Sequence, residues 1–306
     1  MRATAEKRIR DVFADAGCTG WLHARRIGTR RAGDVDDVDD VSVGADELVV
    51  TASVYKLPLV VALCRAFDEG SLSPTATVRI NPADCTPGPT GVSIFRDPVV
   101  MSWRDLALSM MTVSDNAAAD LILGCVGLDG VDRVLTELGL LRTRIIGGTA
   151  DVHRTLLEEA HSHTTREAFE ALADNDEAWA VSAYDPAFTS ATTPREMTSL
   201  LDAIWTDRAV SAAQAEFIRE VMAGQIWPHR IRSGFPYAGV TVAGKTGTIG
   251  AIRNEVAVVG FPGETPVAVA VFTRAARADP VLPVVDQAIG RAAHIAVTEL
   301  RSGRIE

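Results

Sequence analysis

Three short segments hold residues whose types and spacing suit nucleophilic chemistry. Ser53 and Lys56 (SVYK) stand three apart at the start of an apolar helical pattern over residues 57–64. Three residues is close to one helical turn, so hydroxyl and amine share a face. Desolvation disfavours the ammonium, so a lysine beside Leu57, Pro58 and Leu59 loses its proton more easily and can take one from the serine. Ser114, Asp115 and Asn116 fall between two helical patterns, where loop side chains project into a cleft. Lys245, Thr246, Gly247 and Thr248 end a strand pattern over residues 240–243. There Gly247 lets a ligand approach the backbone and Lys245 supplies a fixed positive charge. Each segment also has a plain structural reading: a capping serine with a surface lysine, an N-cap, and a strand end with a turn glycine.

The base composition sharpens the two lysines. Of 30 basic residues only Lys7, Lys56 and Lys245 are lysine, and the rest are arginine. Arginine stays charged in proteins, whereas a lysine amine can be neutralised. Lys7 suits the polar face of a first helix. Lys56 and Lys245 both fall in the segments just described.

Competing motifs fail on context. Residues 239–246 (GVTVAGKT) satisfy the P-loop pattern, but that loop needs a helix behind it, and GTIGAIRNEVAVV reads as turn and strand. A GxxGxxG at residues 124–130 follows a helix rather than a strand, so dinucleotide binding is unsupported. His153, His161 and His163 lie near Glu158 and Glu159 without an HExxH, and read as solvated helix rather than a metal site. Asp34 to Asp40 contribute five aspartates, without the glycine and closing glutamate of an EF-hand loop, and read as a solvated hairpin loop. No metal and no organic cofactor is expected.

Composition limits the partners. The chain has 306 residues, 47% hydrophobic, enough to bury a large core. A net charge of -10, with no basic run interleaved with aromatics, argues against nucleic acid. The apolar runs are far shorter than the ~18 residues of a spanning helix, so no membrane segment is expected. The first residues mix Arg2, Lys7, Arg8 and Arg10 with Glu6, Asp11 and Asp15 and lack an apolar stretch, so the chain as written reads as cytoplasmic. Its four cysteines form no CxxC pair and read as free thiols. No oligomeric state is assigned.

The elements that must position these groups follow from periodicity. Residues 3–16 read as an amphipathic helix; 20–28 and 48–51 as strands of one hairpin joined by the acidic stretch; 53–67 as a buried helix. Helical patterns fill 103–111, 117–123, 131–138, 155–173, 195–205 and 212–222. Strands return at 240–243, 255–261 and 267–273, and a helix closes the chain from about 284 to 300. Strands at both ends with helices between predict an α+β fold, an antiparallel sheet joining the termini with helices on both faces beside an all-helical lobe. We read one catalytic domain over residues 1–306, its α/β part about 1–52 and 224–306 and its helical lobe about 53–223.

In the order SVYK, SDN, KTGT, the three segments are the signature set of class A β-lactamases and penicillin-binding proteins. The chain resembles the class A β-lactamase branch of the penicillin-recognising serine hydrolases. MTVSDNAAADLIL, ATTPREMTSLLDAI, HRIRSGFPYAGVTVAGKTGT and IRNEVAVVGF extend the likeness over most of its length. The resemblance implies an acylated Ser53, Lys56 as its base, and Ser114 relaying a proton to the leaving nitrogen. It further implies that Asn116 orients Lys56 and a substrate amide, and that Lys245 gives electrostatic support. Thr246, Gly247 and Thr248 would bind substrate, with the N–H groups of Ser53 and Thr248 as the oxyanion hole. Arg253 or Arg232 would pair with a substrate carboxylate. The implied substrate is a small molecule with a carboxylate and an amide or ester.

The sequence departs from that family in one loop. Its members carry Glu-x-x-Leu-Asn between SDN and Thr-Thr-Pro, and the glutamate activates the deacylating water. Residues 147–190 lack the motif and are longer than the family's loop. Glu177 stands at about the right spacing before Thr192, but Ala-Trp-Ala-Val follows it. The expected activity is therefore β-lactam hydrolysis, weakened at deacylation. The alternatives are an esterase, D-amino-acid peptidase or biosynthetic acyl hydrolase on the same site, or a β-lactam-binding sensor that stays acylated.

Overall fold

A computed structural model describes residues 2–29, 40–173 and 181–302. In chain order, α1 (Arg2–Asp15) leads to β1 (Cys18–Arg26), β2 (Asp40–Val43) and β3 (Val49–Val50). A 3-10 turn (Ala52–Tyr55) runs into α2 (Lys56–Asp68), followed by β4 (Thr77–Ile80) and β5 (Val99–Ser102). Then come α3 (Trp103–Thr112), α4 (Asn116–Glu137), α5 (Thr149–Glu159), α6 (Thr165–Ala173), β6 (Ala191–Thr192), α7 (Pro194–Trp205) and α8 (Ala212–Ala223). The chain returns through β7 (Thr241–Ile249), β8 (Ile252–Gly260) and β9 (Val267–Ala275) and closes on α9 (Pro283–Ser302).

The main sheet has the order β2-β1-β9-β8-β7 with antiparallel pairings throughout. Its strands are apolar on both faces because both are covered. Along β9, Val267, Val269 and Val271 pack with α1 and α9, while Ala268, Ala270 and Phe272 face the helical elements. Alanines at 288, 292, 293 and 296 let α9 lie close on the sheet. The second core reaches from Val256 and Val258 of β8 into α2, α3, α4, α7 and α8. The α+β architecture and the sheet joining both termini are as the periodicity implies.

Local register differs in four places. β1 pairs with β2, whereas β3 pairs with β6 as a separate ladder. The expected 20–28/48–51 hairpin is thus wrong, because β2 is too short to stand out from the aspartate run. Asp40 sits in β2 and bonds Arg195 and His23, each at 3.0 Å; residues 34–39 of the run lie outside the described residues. The helical pattern at 155–173 is two helices, α5 and α6, broken after Glu159 where His161 takes a φ of 50°. Lys245 to Thr248 lie within β7 instead of closing it, and β8 follows, so no helix N-terminus exists for phosphate. Gly127, centre of the GxxGxxG, kinks α4 at a φ of 72°. All four cysteines are free thiols, and among the described residues no helix is long and apolar enough to cross a membrane.

Candidate active site

The turn bearing Ser53 is held from two sides. Asn254 of β8 donates to the carbonyls of Val50 (2.8 Å) and Thr51 (3.2 Å), and Thr51 N donates to Ser190 O at 3.0 Å. Val54, Leu57 and Leu59 are wholly buried, which anchors the turn and α2 in the core. Ala52, just before Ser53, takes a φ of 44°, a left-handed value an alanine adopts only under constraint. Ser53 is half-buried at the wall of a cleft of about 930 Å³.

Asp115 builds the loop of the second segment. Its wholly buried carboxylate accepts from Val92 N (2.7 Å), Ser109 Oγ (2.8 Å), Ala118 N (3.2 Å) and Ser93 Oγ (3.3 Å). It is the N-cap of α4, so the structural reading holds for this residue. Its neighbours Ser114, held at a φ of 61°, and Asn116 line the cleft.

Both lysines are wholly buried behind that cleft and converge on Ser114. Lys56 Nζ donates to Ser114 O (2.8 Å), Asn116 Oδ1 (2.9 Å) and Ser114 Oγ (3.4 Å). Lys245 Nζ donates to Ser114 Oγ (3.0 Å) and Thr246 O (2.8 Å). Burial brings Lys56 down to about 7, with Asp115 and Asp120 pulling the other way. Lys245 lies well below its ordinary value through burial, then Lys56 and Arg230, with Glu255 opposing. Desolvation thus works against the fixed charge expected on Lys245. A hydroxyl bridging two such amines can pass protons between them.

β7 forms the opposite edge. Thr246 N donates to Gln225 Oε1 at 2.6 Å, away from β8, so by strand alternation Thr248 N points the same way, to the Ser53 side. Gly247 does not line the cleft. A Cβ there would stand 2.7 Å from Thr51 O and 3.1 Å from Val54 N, so glycine lets the serine turn pack on the strand. Glu255 lies wholly beneath, accepting from Gln225 Nε2 (2.9 Å) and Ile231 N (2.5 Å), and burial pushes it up to about 7.

Of the two arginines expected at the substrate carboxylate, Arg253 lines the cleft and Arg232 does not. Arg253 donates to the carbonyls of Gly250, Ile252, Asp279 and Pro280, and burial, then Arg230, bring it down to about 10. Arg232 is exposed on the 3-10 turn Ile231–Gly234. Arg230, two residues earlier, faces inward: it donates to Thr248 Oγ1 (2.7 Å), Gly247 O (2.9 Å) and Asn254 O (2.8 Å), and pairs with Asp286 at 2.6 Å. Gly234 and Gly290 pass in direct contact here, so α9 clamps the turn and sets which arginine points in. Arg230, Asn254 and Glu255 lie inside the family-like stretches 229–248 and 252–261 without a role having been read for them, and Gln225 lies outside both.

The remaining candidates divide. His161 and His163 are exposed as expected, whereas His153 lines the cleft. Among the described residues no cluster could hold a metal. Glu177 lies outside the described residues.

The sequence profile of the beta-lactamase enzyme family (Beta-lactamase2) matches residues 4–300. The chain belongs to the beta-lactamase enzyme family. It is 27% identical over 282 residues to the beta-lactamase regulatory protein BlaB of Streptomyces cacaoi, covering 87% of this chain and 88% of that protein. A beta-lactamase from Sphaerobacter thermophilus superposes with a TM-score of 0.76 at 22% identity, covering 98% of this chain and 97% of that one. A variant of PBP-A, solved as its acyl-enzyme complex with penicillin G, gives 0.74 at 19% identity over 97% of each chain. At those identities the likeness is one of fold, the β-lactamase/transpeptidase-like fold. Family and fold point to a hydrolase.

Proposed function

We propose that the protein is a serine hydrolase that forms an acyl-Ser53 intermediate and opens the β-lactam amide. The observation carrying this is the convergence of Lys56 and Lys245 on Ser114 behind Ser53. Lys56, near 7 through burial, takes the Ser53 proton as Oγ bonds to the carbonyl carbon. The oxyanion develops against the N–H groups of Ser53 and Thr248. Ser114, within reach of both amines, hands the proton to the leaving nitrogen. Thr246, Thr248, Arg230 and Arg253 receive the substrate carboxylate. Asn116 holds Lys56, its Nδ2 bonding Pro87 O at 3.1 Å.

A chromogenic cephalosporin followed to steady state tests this: sustained colour with a transient adduct is expected, and no reaction at all would refute it. The second reading, a β-lactam-binding module that acylates once and holds the adduct, is favoured by the likeness to a protein named for beta-lactamase regulation. One equivalent of colour followed by nothing would select it.

A further inference from the structure

Hydrolysing an acyl-serine needs a group that takes a proton from water, and one wall of the cleft singles out such a group. α5 turns Thr149 and His153, one helical turn apart, to the cleft. Two neighbouring polar groups of that wall are committed. Asp120 of α4 accepts from Thr149 N (2.8 Å), Ala150 N (2.8 Å) and Thr86 Oγ1 (2.5 Å), so its carboxylate caps α5. Thr149 Oγ1 meets the Tyr55 hydroxyl at 3.0 Å, and burial, then Asp120, push that phenol up. His153 is different: its Nδ1 is buried and has no hydrogen-bond partner among the described residues. The ring is held by packing, edge-on to Phe169 of α6 with centroids 6.1 Å apart. That buried nitrogen is closed to water, so Nε2 is the ring nitrogen left to meet a water in the cleft.

We propose that His153 activates the water that hydrolyses acyl-Ser53; this rests on the acyl-Ser53 reading above. The water oxygen bonds to the acyl carbonyl carbon as its proton passes to the unprotonated imidazole nitrogen. The C–Oγ bond then breaks, and the proton taken by His153 returns to Ser53 Oγ. Ester and water become carboxylic acid and serine, with both side chains back in their starting states. Burial keeps His153 below its ordinary value, Asp120 opposing and Lys56 reinforcing, so the ring is neutral at pH 7. Arg166 of α6 also lines the cleft and pairs with Glu170 of the same helix at 2.8 Å.

The test is pre-steady-state hydrolysis of a chromogenic cephalosporin by the full chain, with His153→Gln, His153→Phe and Glu177→Gln. His153→Phe preserves an aromatic ring beside Phe169 if the amide variant loses packing. The burst should persist within about twofold in both His153 variants. Their slow phase should fall about 100-fold or more, the scale of a lost general base, with the acyl-enzyme mass accumulating. The parent slow phase should decline in acid as the imidazole protonates, and that limb should vanish in the variants. An unchanged slow phase in the His153 variants, or a stall only in Glu177→Gln, would overturn the assignment. So would equal loss of burst and slow phase in both His153 variants. A parent that acylates but never turns over overturns His153 while leaving Ser53 intact, and a parent that forms no adduct overturns both.

Discussion

The two walls of the cleft are built on different principles. On the Ser114 and β7 side, polar groups are tied to one another: each lysine amine has two or more acceptors, and Asp115 has four donors. On the α5 and α6 side, Val152 and Phe169 face the space beside the His153 imidazole, whose buried Nδ1 has no partner among the described residues. The first wall is pre-organised, its donors already aimed, which suits the bond chemistry proposed at Ser53. The second leaves room for the acyl group and for water. On the proposed reading, acylation and deacylation draw on separate elements, and each can be damaged without the other.

Substitutions on the first wall should break that separation most visibly. Ser53→Ala should reduce cephalosporin turnover to background with the thermal midpoint kept, read by absorbance and by calorimetry. Lys56→Ala should slow acylation by about 10²–10⁴-fold, the range for loss of a general base, in a stopped-flow burst. In the parent the neutral amine is the active form, so acylation should rise with pH through about 7 and fall below it. An acylation rate flat from pH 6 to 8 would remove Lys56 from that role.

Arginine substitutions sharpen the comparison at the carboxylate end. Arg230→Ala should cost about 10–100-fold in kcat/KM for a carboxylate-bearing substrate, the worth of a charged hydrogen bond. Arg232→Ala, exposed, should stay within about twofold. Equal losses in the two would mean that both act at long range rather than by contact.

The smallest effect lies under the first wall. Glu255 is raised from its ordinary value to about 7 by burial, so between about 4.5 and 7 the folded state binds more protons than the unfolded one. Its contribution to stability is fully present below about 4.5 and is lost as pH rises towards 7. Glu255→Gln should flatten that slope in urea titrations across this range while changing acylation little. An unchanged slope would place the dependence on another group.

Legibility in the sequence followed the same division. Ser53, Lys56, Ser114 and Lys245 were readable because their spacing is tied to a helical turn, a loop and a strand, and because lysine is rare in this chain. The antiparallel sheet was readable from strands that stay apolar on successive residues. Arg230 was missed in favour of Arg232 because a 3-10 turn clamped by α9 decides which faces inward, and no local pattern encodes that contact. The role of Gly247 was misread because the backbone it admits is the protein's own serine turn. His153 read as solvated because the break separating α5 from α6, which folds Phe169 back against it, has no glycine or proline to announce it.

The most direct test of the central claim is intact-mass analysis of the parent and Ser53→Ala after mixing with benzylpenicillin, followed by peptide mapping. The account predicts a penicilloyl adduct on the parent, confined to the peptide containing Ser53, and none on the variant. An adduct that survives in Ser53→Ala, or a parent that stays unmodified at saturating antibiotic, would contradict it.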